Sequence, residues 1–214
     1  MMKLPFPAGS QRLVGYALAF VLMTASISLV LLLLLLLSPV MGHAAEWDIE
    51  QLMRGLSQTR SGRASFVEKK SIAMLDKPVE SSGELFFTAP DRLEKRTFKP
   101  KSESMIVNGG ELLIERGRHK YQLQLQSYPE LGAFLDSIRG TLAGDRKALE
   151  HSYRLSLDGK AERWALQLLP LDEKMLKVIK RIIIAGVNDQ VRSIEIMQAD
   201  GDSSLMTIEK LAMP

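Results

Sequence analysis

The sequence predicts an α+β fold that is mainly antiparallel β: about eleven strands in one curled sheet, with helices over its concave face. Three observations predict it. Apolar and polar residues alternate with period two through most of the chain beyond residue 60. Short Asn-Gly, Asp-Gly and Pro-containing turn signals separate the runs at hairpin spacing. Helical periodicity returns only around residues 47–60 and 129–150.

Residues 1–45 come before any of this. Lys3 and Arg12 give a positive start, with no acidic residue before Glu46. Residues 13–37 are almost unbroken apolar sequence, and Ser38, Pro39, Gly42, Ala44 and Ala45 follow. This is the order of a secretory signal, with cleavage expected after Ala44 or Ala45. The apolar run is also long enough to span a bilayer, so an uncleaved anchor is the alternative. Either way, residues 46–214 are expected in an exported compartment, the periplasm, as one domain.

The first helix is expected over 47–60, where Trp47, Leu52, Met53 and Leu56 share a face and Ser61-Gly62 ends it. Strands follow at roughly 63–74, 80–88, 92–99, 102–107, 111–116 and 119–126. Tyr121, Leu123 and Leu125, alternating with glutamines, show the pattern most clearly. Between Pro129 and Glu150 the stripe Leu131, Phe134, Leu135, Ile138 and Leu142 is helical, with Gly140 and Gly144 near its end. Strands resume at 151–158 and 161–169, joined by a turn at Asp158-Gly159. A short connection at 170–174 leads to strands 177–186, 190–199 and 203–211, with turns at Asn188-Asp189 and Asp200-Gly201. Hairpin linkage implies an antiparallel meander, and a sheet this large must curl. The two helices are available to cover its concave face.

The composition excludes several kinds of chemistry. The chain has no cysteine, which removes disulfides, thiolate nucleophiles and cysteine metal sites. Setting aside Lys3 and Arg12, 26 basic residues face 25 acidic ones, so no nucleic-acid partner is expected. His119 and His151 each fall at an expected strand start among charged residues and read as surface histidines. No metal-ligand spacing, Gly-x-Ser-x-Gly elbow or phosphate loop occurs, so no catalytic residue, metal or cofactor is expected. Arg92, Lys95, Arg96, Lys99 and Lys101 form a basic run that suits an edge protected by charge, or docking of an acidic partner or anionic headgroups.

A family resemblance rests on residues in order along the chain. Ala64-Ser65-Phe66-Val67-Glu68-Lys69 follows the first helix. Gly83-Glu84-Leu85-Phe86-Phe87 leads to Pro90, and Ser104-Met105-Ile106-Val107-Asn108-Gly109 forms the next hairpin signal. With the helical insertion and the late Asp200-Gly201-Asp202 turn, the region after the signal resembles the periplasmic outer-membrane lipoprotein carriers, the LolA-like proteins. The resemblance implies an incomplete eleven-stranded β-barrel with a helical lid over a hydrophobic cavity. It also implies a carrier that shields acyl chains of a lipoprotein or lipid between an inner-membrane release complex and an outer-membrane acceptor. A monomer is expected, and the alternative functions are a lipid-sensing adaptor held by an uncleaved anchor, or a carrier of a non-lipoprotein envelope lipid. Inward apolar positions then become cavity candidates: Phe66, Leu85, Phe87, Val107, Leu123, Trp164, Leu166 and Ile183 on strands, with Phe134 and Ile138 on the helix. The chain departs from the family pattern at Ala89, where a basic residue tied to lid closure often precedes the turn proline; Arg92 is the substitute on offer. Leu93 and Phe98 occupy a stretch where more aromatic residues are expected.

Overall fold

A computed structural model describes residues 47–212 of the chain; the signal or anchor expected over residues 1–45 lies outside the described residues. The alternating segments pair into one eleven-stranded antiparallel sheet. Helix α1 (Ile49–Leu56) precedes β1 (Ser61–Ser71), β2 (Val79–Thr88), β3 (Arg92–Lys99), β4 (Glu103–Asn108), β5 (Glu111–Arg116) and β6 (His119–Gln124). A 3-10 turn (Leu125–Ser127) leads into α2 (Pro129–Ala143) and α3 (Arg146–Ser152). Then come β7 (Tyr153–Lys160), β8 (Arg163–Pro170), a single-turn helix α4 (Glu173–Leu176), β9 (Ile179–Val187), β10 (Gln190–Gln198) and β11 (Ser203–Lys210).

The spatial order is β6-β5-β4-β3-β2-β1-β11-β10-β9-β8-β7. Every neighbouring pair is consecutive in the chain except one: the first strand pairs with the last, Phe66 opposite Ile208. β6 and β7 have no strand between them and do not pair, so the sheet curls without closing into a barrel. The helical segment that joins β6 to β7 spans this gap in the chain.

Local chemistry explains where the elements stop. Asp48 caps α1, its carboxylate accepting from Gln51 N at 2.7 Å, and Leu52, Met53 and Leu56 bury one face. The helix ends at Leu56, earlier than the expected residue 60. Ser61 and Gly62 open β1 rather than closing the helix, because they pair with Thr88 and Phe87 of β2. The insertion splits at Gly144, whose φ of 67° is the left-handed C-cap of α2. An added Cβ there would lie 2.1 Å from Met53 O of α1. Asp145 then caps α3, accepting from Ala148 N. His151 therefore sits in the last turn of α3 and not at a strand start.

The hairpin after β7 also differs from expectation. Asp158-Gly159 stays inside the strand and the turn falls at Ala161-Glu162. Gly159 pairs with Trp164, and on its other side Trp164 pairs with Gly186. The indole occupies the room that a Cβ on Gly186 would fill, since Trp164 Cζ2 lies 2.4 Å from that position. Its Nε1 donates to Asn188 O at 2.9 Å, so the one polar atom of this buried ring is satisfied.

Candidate functional site

Strand register assigns the concave face residue by residue. Across β1, β2 and β3, Ala64 lies opposite Leu85 and Leu85 opposite Lys95, while Gly62 faces Phe87 and Phe87 faces Leu93. The same face continues through Met105 and Val107 of β4 to Leu112 and Ile114 of β5. In the other direction it runs through Met206 and Ile208 of β11, Ile194 and Ile196 of β10, Ile182 and Ile184 of β9, and Leu166 and Leu168 of β8.

Helices cover this face unequally. Over β7, β8 and β9, helices α1 and α3 fill it: Leu52, Met53, Leu56 and Leu149 pack with Tyr153, Trp164, Leu166, Leu168, Ile182 and Ile184. Over β4 and β5, Leu135 of α2 closes on Val107, Leu112 and Leu125. Between these two packed regions the sheet and α2 border a half-open cavity of about 720 Å³. That volume falls in the range of small-molecule sites. Its walls are mostly apolar: Leu85, Phe87, Leu93, Met105 and Val107 on one side, Ile194, Ile196, Met206 and Ile208 on the other, and Leu131, Phe134, Ile138 and Leu142 of α2 above.

The ten cavity candidates from the sequence are distributed as follows. Leu85, Phe87, Val107, Phe134 and Ile138 border the cavity. Trp164 and Leu166 point to the concave side but lie in the filled region, where their burial is ordinary core packing. Phe66 is on the concave floor, with Lys95 Nζ 4.8 Å from its ring centroid. Leu123 packs at the β6 edge against the Val107 cluster. Ile183 is corrected: it alternates with the buried Ile182 and Ile184 and faces the convex side. The Ile-Ile-Ile run hid the period, since alternation is legible only where polar residues interrupt it.

The basic run is also corrected, because it is no continuous patch. Arg92 and Arg96 lie on the convex face, where both donate to the buried carboxylate of Glu94. Arg96 also covers the Phe86 ring at 4.7 Å, and Arg63, paired with Glu84, approaches that ring at 5.7 Å. Lys95 points the opposite way, into the cavity. Only Lys99 and Lys101 stay exposed and outside any salt bridge among the described residues.

One polar cluster interrupts the apolar walls. Lys95 Nζ donates to Glu68 Oε2 at 2.5 Å, Ser204 Oγ donates to Glu68 Oε1 at 2.6 Å, and Ser81 Oγ lies 3.4 Å from Glu68 Oε2. Beside them Lys70 Nζ is 4.0 Å from Asp202. Burial alone pushes the Glu68 carboxyl up, but the hydrogen bonds from Lys95 and Ser204 and the Lys95 charge outweigh it and hold its pKa below the usual 4.5. The sequence reading used Glu68 only as part of a pattern and assigned Lys95 to docking. The available signal was parity: Glu68 shares the parity of Phe66 on β1, and Lys95 that of Leu93 on β3.

Helix α2 has its own tie to the sheet. Arg139 of α2 donates to Gly109 O at 2.5 Å and reaches Asp91 O at 3.4 Å, in the β4–β5 and β2–β3 turns, and it pairs with Asp136. The side chain is only 14% exposed. Ala89, in the turn, offers no such contact, and Arg92 is engaged by Glu94; the guanidinium that joins α2 to the turns comes from α2 itself. Tyr153 of β7 adds a second tie, donating to Ala133 O at 3.1 Å, and burial pushes its phenol up to about 12.

Among the described residues no group of three or more His, Cys, Asp or Glu side chains could hold a metal ion, and no helix is long and apolar enough to cross a membrane.

Residues 41–210 match the family described as outer membrane lipoprotein carrier protein LolA-like. The outer-membrane lipoprotein carrier protein of Dechloromonas aromatica (strain RCB) is 27% identical over 129 residues, covering 60% of this chain and 59% of that protein, so the match spans less than two thirds of the relative. Similar solved structures include the LolA superfamily protein NE2245 from Nitrosomonas europaea, with 10% identity, 78% of this chain, 94% of that chain and a TM-score of 0.43. The Pseudomonas aeruginosa MucA/MucB complex gives 13% identity, 78% of this chain, 58% of that chain and a TM-score of 0.46.

Proposed function

The chain belongs to the LolA-like outer-membrane lipoprotein carrier family, and from that premise we propose that it is a non-enzymatic periplasmic carrier that shields acyl chains of a lipoprotein or lipid on the way from inner to outer membrane. The observation that carries this reading is the unfilled cavity under α2. The cavity leaves a mostly apolar concave surface open to water, and covering such surface is favourable. A ligand chain laid along it supplies that cover.

The energetics of acyl chains explain why such a protein is needed. Each methylene moved from water to an apolar site gains about 0.8 kcal/mol. A long acyl chain therefore does not leave a membrane for water at a useful rate, whereas a cavity matching the membrane interior cancels most of that cost. Release requires the reverse step, so a lid that opens suits a carrier better than a sealed core. In this reading the cargo chains lie between Leu85, Phe87 and Val107 below and Phe134 and Ile138 above. Loading from an inner-membrane release complex and delivery to an outer-membrane acceptor follow from the family, with residues 1–45 directing export.

Mass spectrometry of lipids extracted from the mature protein, purified from the periplasm, tests the reading. Co-purified acylated lipoprotein supports it, a free lipid alone changes the cargo, and an empty protein that fails to take up a hydrophobic dye overturns it. Phe134→Glu places a charge above the cavity and is expected to abolish cargo binding with the circular dichroism of the fold retained.

A further inference from the structure

The cavity that this proposal assigns to acyl chains is not uniformly apolar, and its polar end has unspent hydrogen-bonding capacity. Three groups donate toward Glu68: Lys95 and Ser204 at short distance, Ser81 at 3.4 Å. An ionised carboxylate has about four acceptor sites, so Glu68 is close to satisfied. Lys95 is not. An ammonium has three donors, and Lys95 directs one at Glu68 while the Phe66 ring lies 4.8 Å from Nζ. Its side chain is 27% exposed and borders the cavity. Lys70 also borders the cavity, and its carboxylate neighbour, Asp202, is at 4.0 Å, beyond hydrogen-bond length. Asp202 in turn accepts from Ala73 N. The unspent capacity at this end is therefore donor capacity.

A charge pair has a cost in this position. An ion pair in an apolar wall is often no more stabilising than apolar residues of the same volume. The alternating pattern of β1 and β3 puts apolar residues at the neighbouring concave positions, Phe66 and Leu93, yet a carboxylate and an ammonium meet across β2 in the unfilled part of the face.

We propose that the end of the cavity formed by Glu68, Lys95, Lys70 and Ser204 is a headgroup site, taking an oxygen acceptor (a carboxylate, phosphate or ester) of an amphiphile whose chain lies under α2. Glu68 holds the Lys95 ammonium in place, and the free N–H bonds of Lys95 bind the ligand oxygen. The site orients the cargo, with its polar end toward Ser204 and its chain toward Phe87, Val107 and Phe134. This inference rests on the carrier reading.

The test uses three probes with one chain length and different headgroups: palmitate, hexadecanol and hexadecyltrimethylammonium, each titrated below its aggregation limit against the mature protein. Hydrogen bonds to a charged group are worth about 1.5–3 kcal/mol, so palmitate is expected to bind roughly tenfold or more tighter than hexadecanol, and the cationic probe more weakly still. Lys95→Met is expected to remove most of the preference for palmitate over hexadecanol while both probes still bind, and an unchanged circular dichroism spectrum shows that the variant is folded. Lys95→Arg is expected to restore part of the preference. If Lys95→Met weakens all three probes equally, or leaves the palmitate preference intact, the pair is structural and the headgroup site is overturned with the carrier reading untouched. If the wild-type protein binds none of the three, the carrier reading itself fails.

Discussion

At the residue scale, the side chains that decide the character of the cavity are a few polar ones. Glu68 is held ionised by Lys95 and Ser204 against a burial that favours the neutral acid. A carboxyl with a depressed folded pKa contributes stability that is fully present above its unfolded value and is lost as pH falls through the folded one. Acid titration of wild type against Glu68→Gln is thus expected to show the variant less stable at pH 7 but losing less stability below about pH 4.5. Parallel curves would show that the pair contributes nothing to folding. Arg139 is the second such residue. It is half-buried against Gly109 O and Asp91 O, and a hydrogen bond to a charged group is worth about 1.5–3 kcal/mol. Arg139→Ala is expected to speed amide exchange in α2 selectively, leaving β8 and β9 protected.

At the element scale, the insertion between β6 and β7 determines what the sheet can do. Its two helices have different tasks. Together with α1, α3 fills the concave face over β7, β8 and β9, and α2 roofs what is left. They part at Gly144, which has a left-handed φ and no space for a Cβ against Met53 O. A left-handed L-residue costs roughly 1–2 kcal/mol before any clash. Gly144→Ala is expected to exceed that cost in chemical denaturation, because α1 must also shift. A loss under 0.5 kcal/mol would show that the junction yields freely.

At the scale of the whole molecule, a cavity is stability forgone. Filling apolar voids commonly stabilises proteins by about 0.5–2 kcal/mol. Ile194, on β10 at the cavity wall, is the position to fill. Ile194→Phe is expected to raise the denaturation midpoint and reduce lipid uptake together. A variant that is stabilised yet still loads cargo would place the acyl chains elsewhere.

The strands, their antiparallel linkage, the helical insertion and the family were legible along the chain, because each of these is written in local periodicity, turn chemistry or ordered short patterns. Alternation with polar residues also gave away the concave parity of Leu123, Trp164 and Leu166, whereas Leu85-Phe86-Phe87 and Met105-Ile106-Val107 are apolar runs whose inward members, Leu85, Phe87 and Val107, are separated from the outward ones by strand register. The sequence reading missed Ile183 where the strand has no polar interruption. It gave Lys95 to the wrong side because a basic run reads as a surface until register divides it. The pairing of β1 with β11 and the opening of the sheet between β6 and β7 emerge only in three dimensions. The same is true of the division of the concave face into core and cavity. Trp164 and Phe87 carry the same apolar signal, and what separates them is whether α1 and α3 or only the edge of α2 lies above. That is a matter of contacts between segments distant in the chain, which no local pattern encodes.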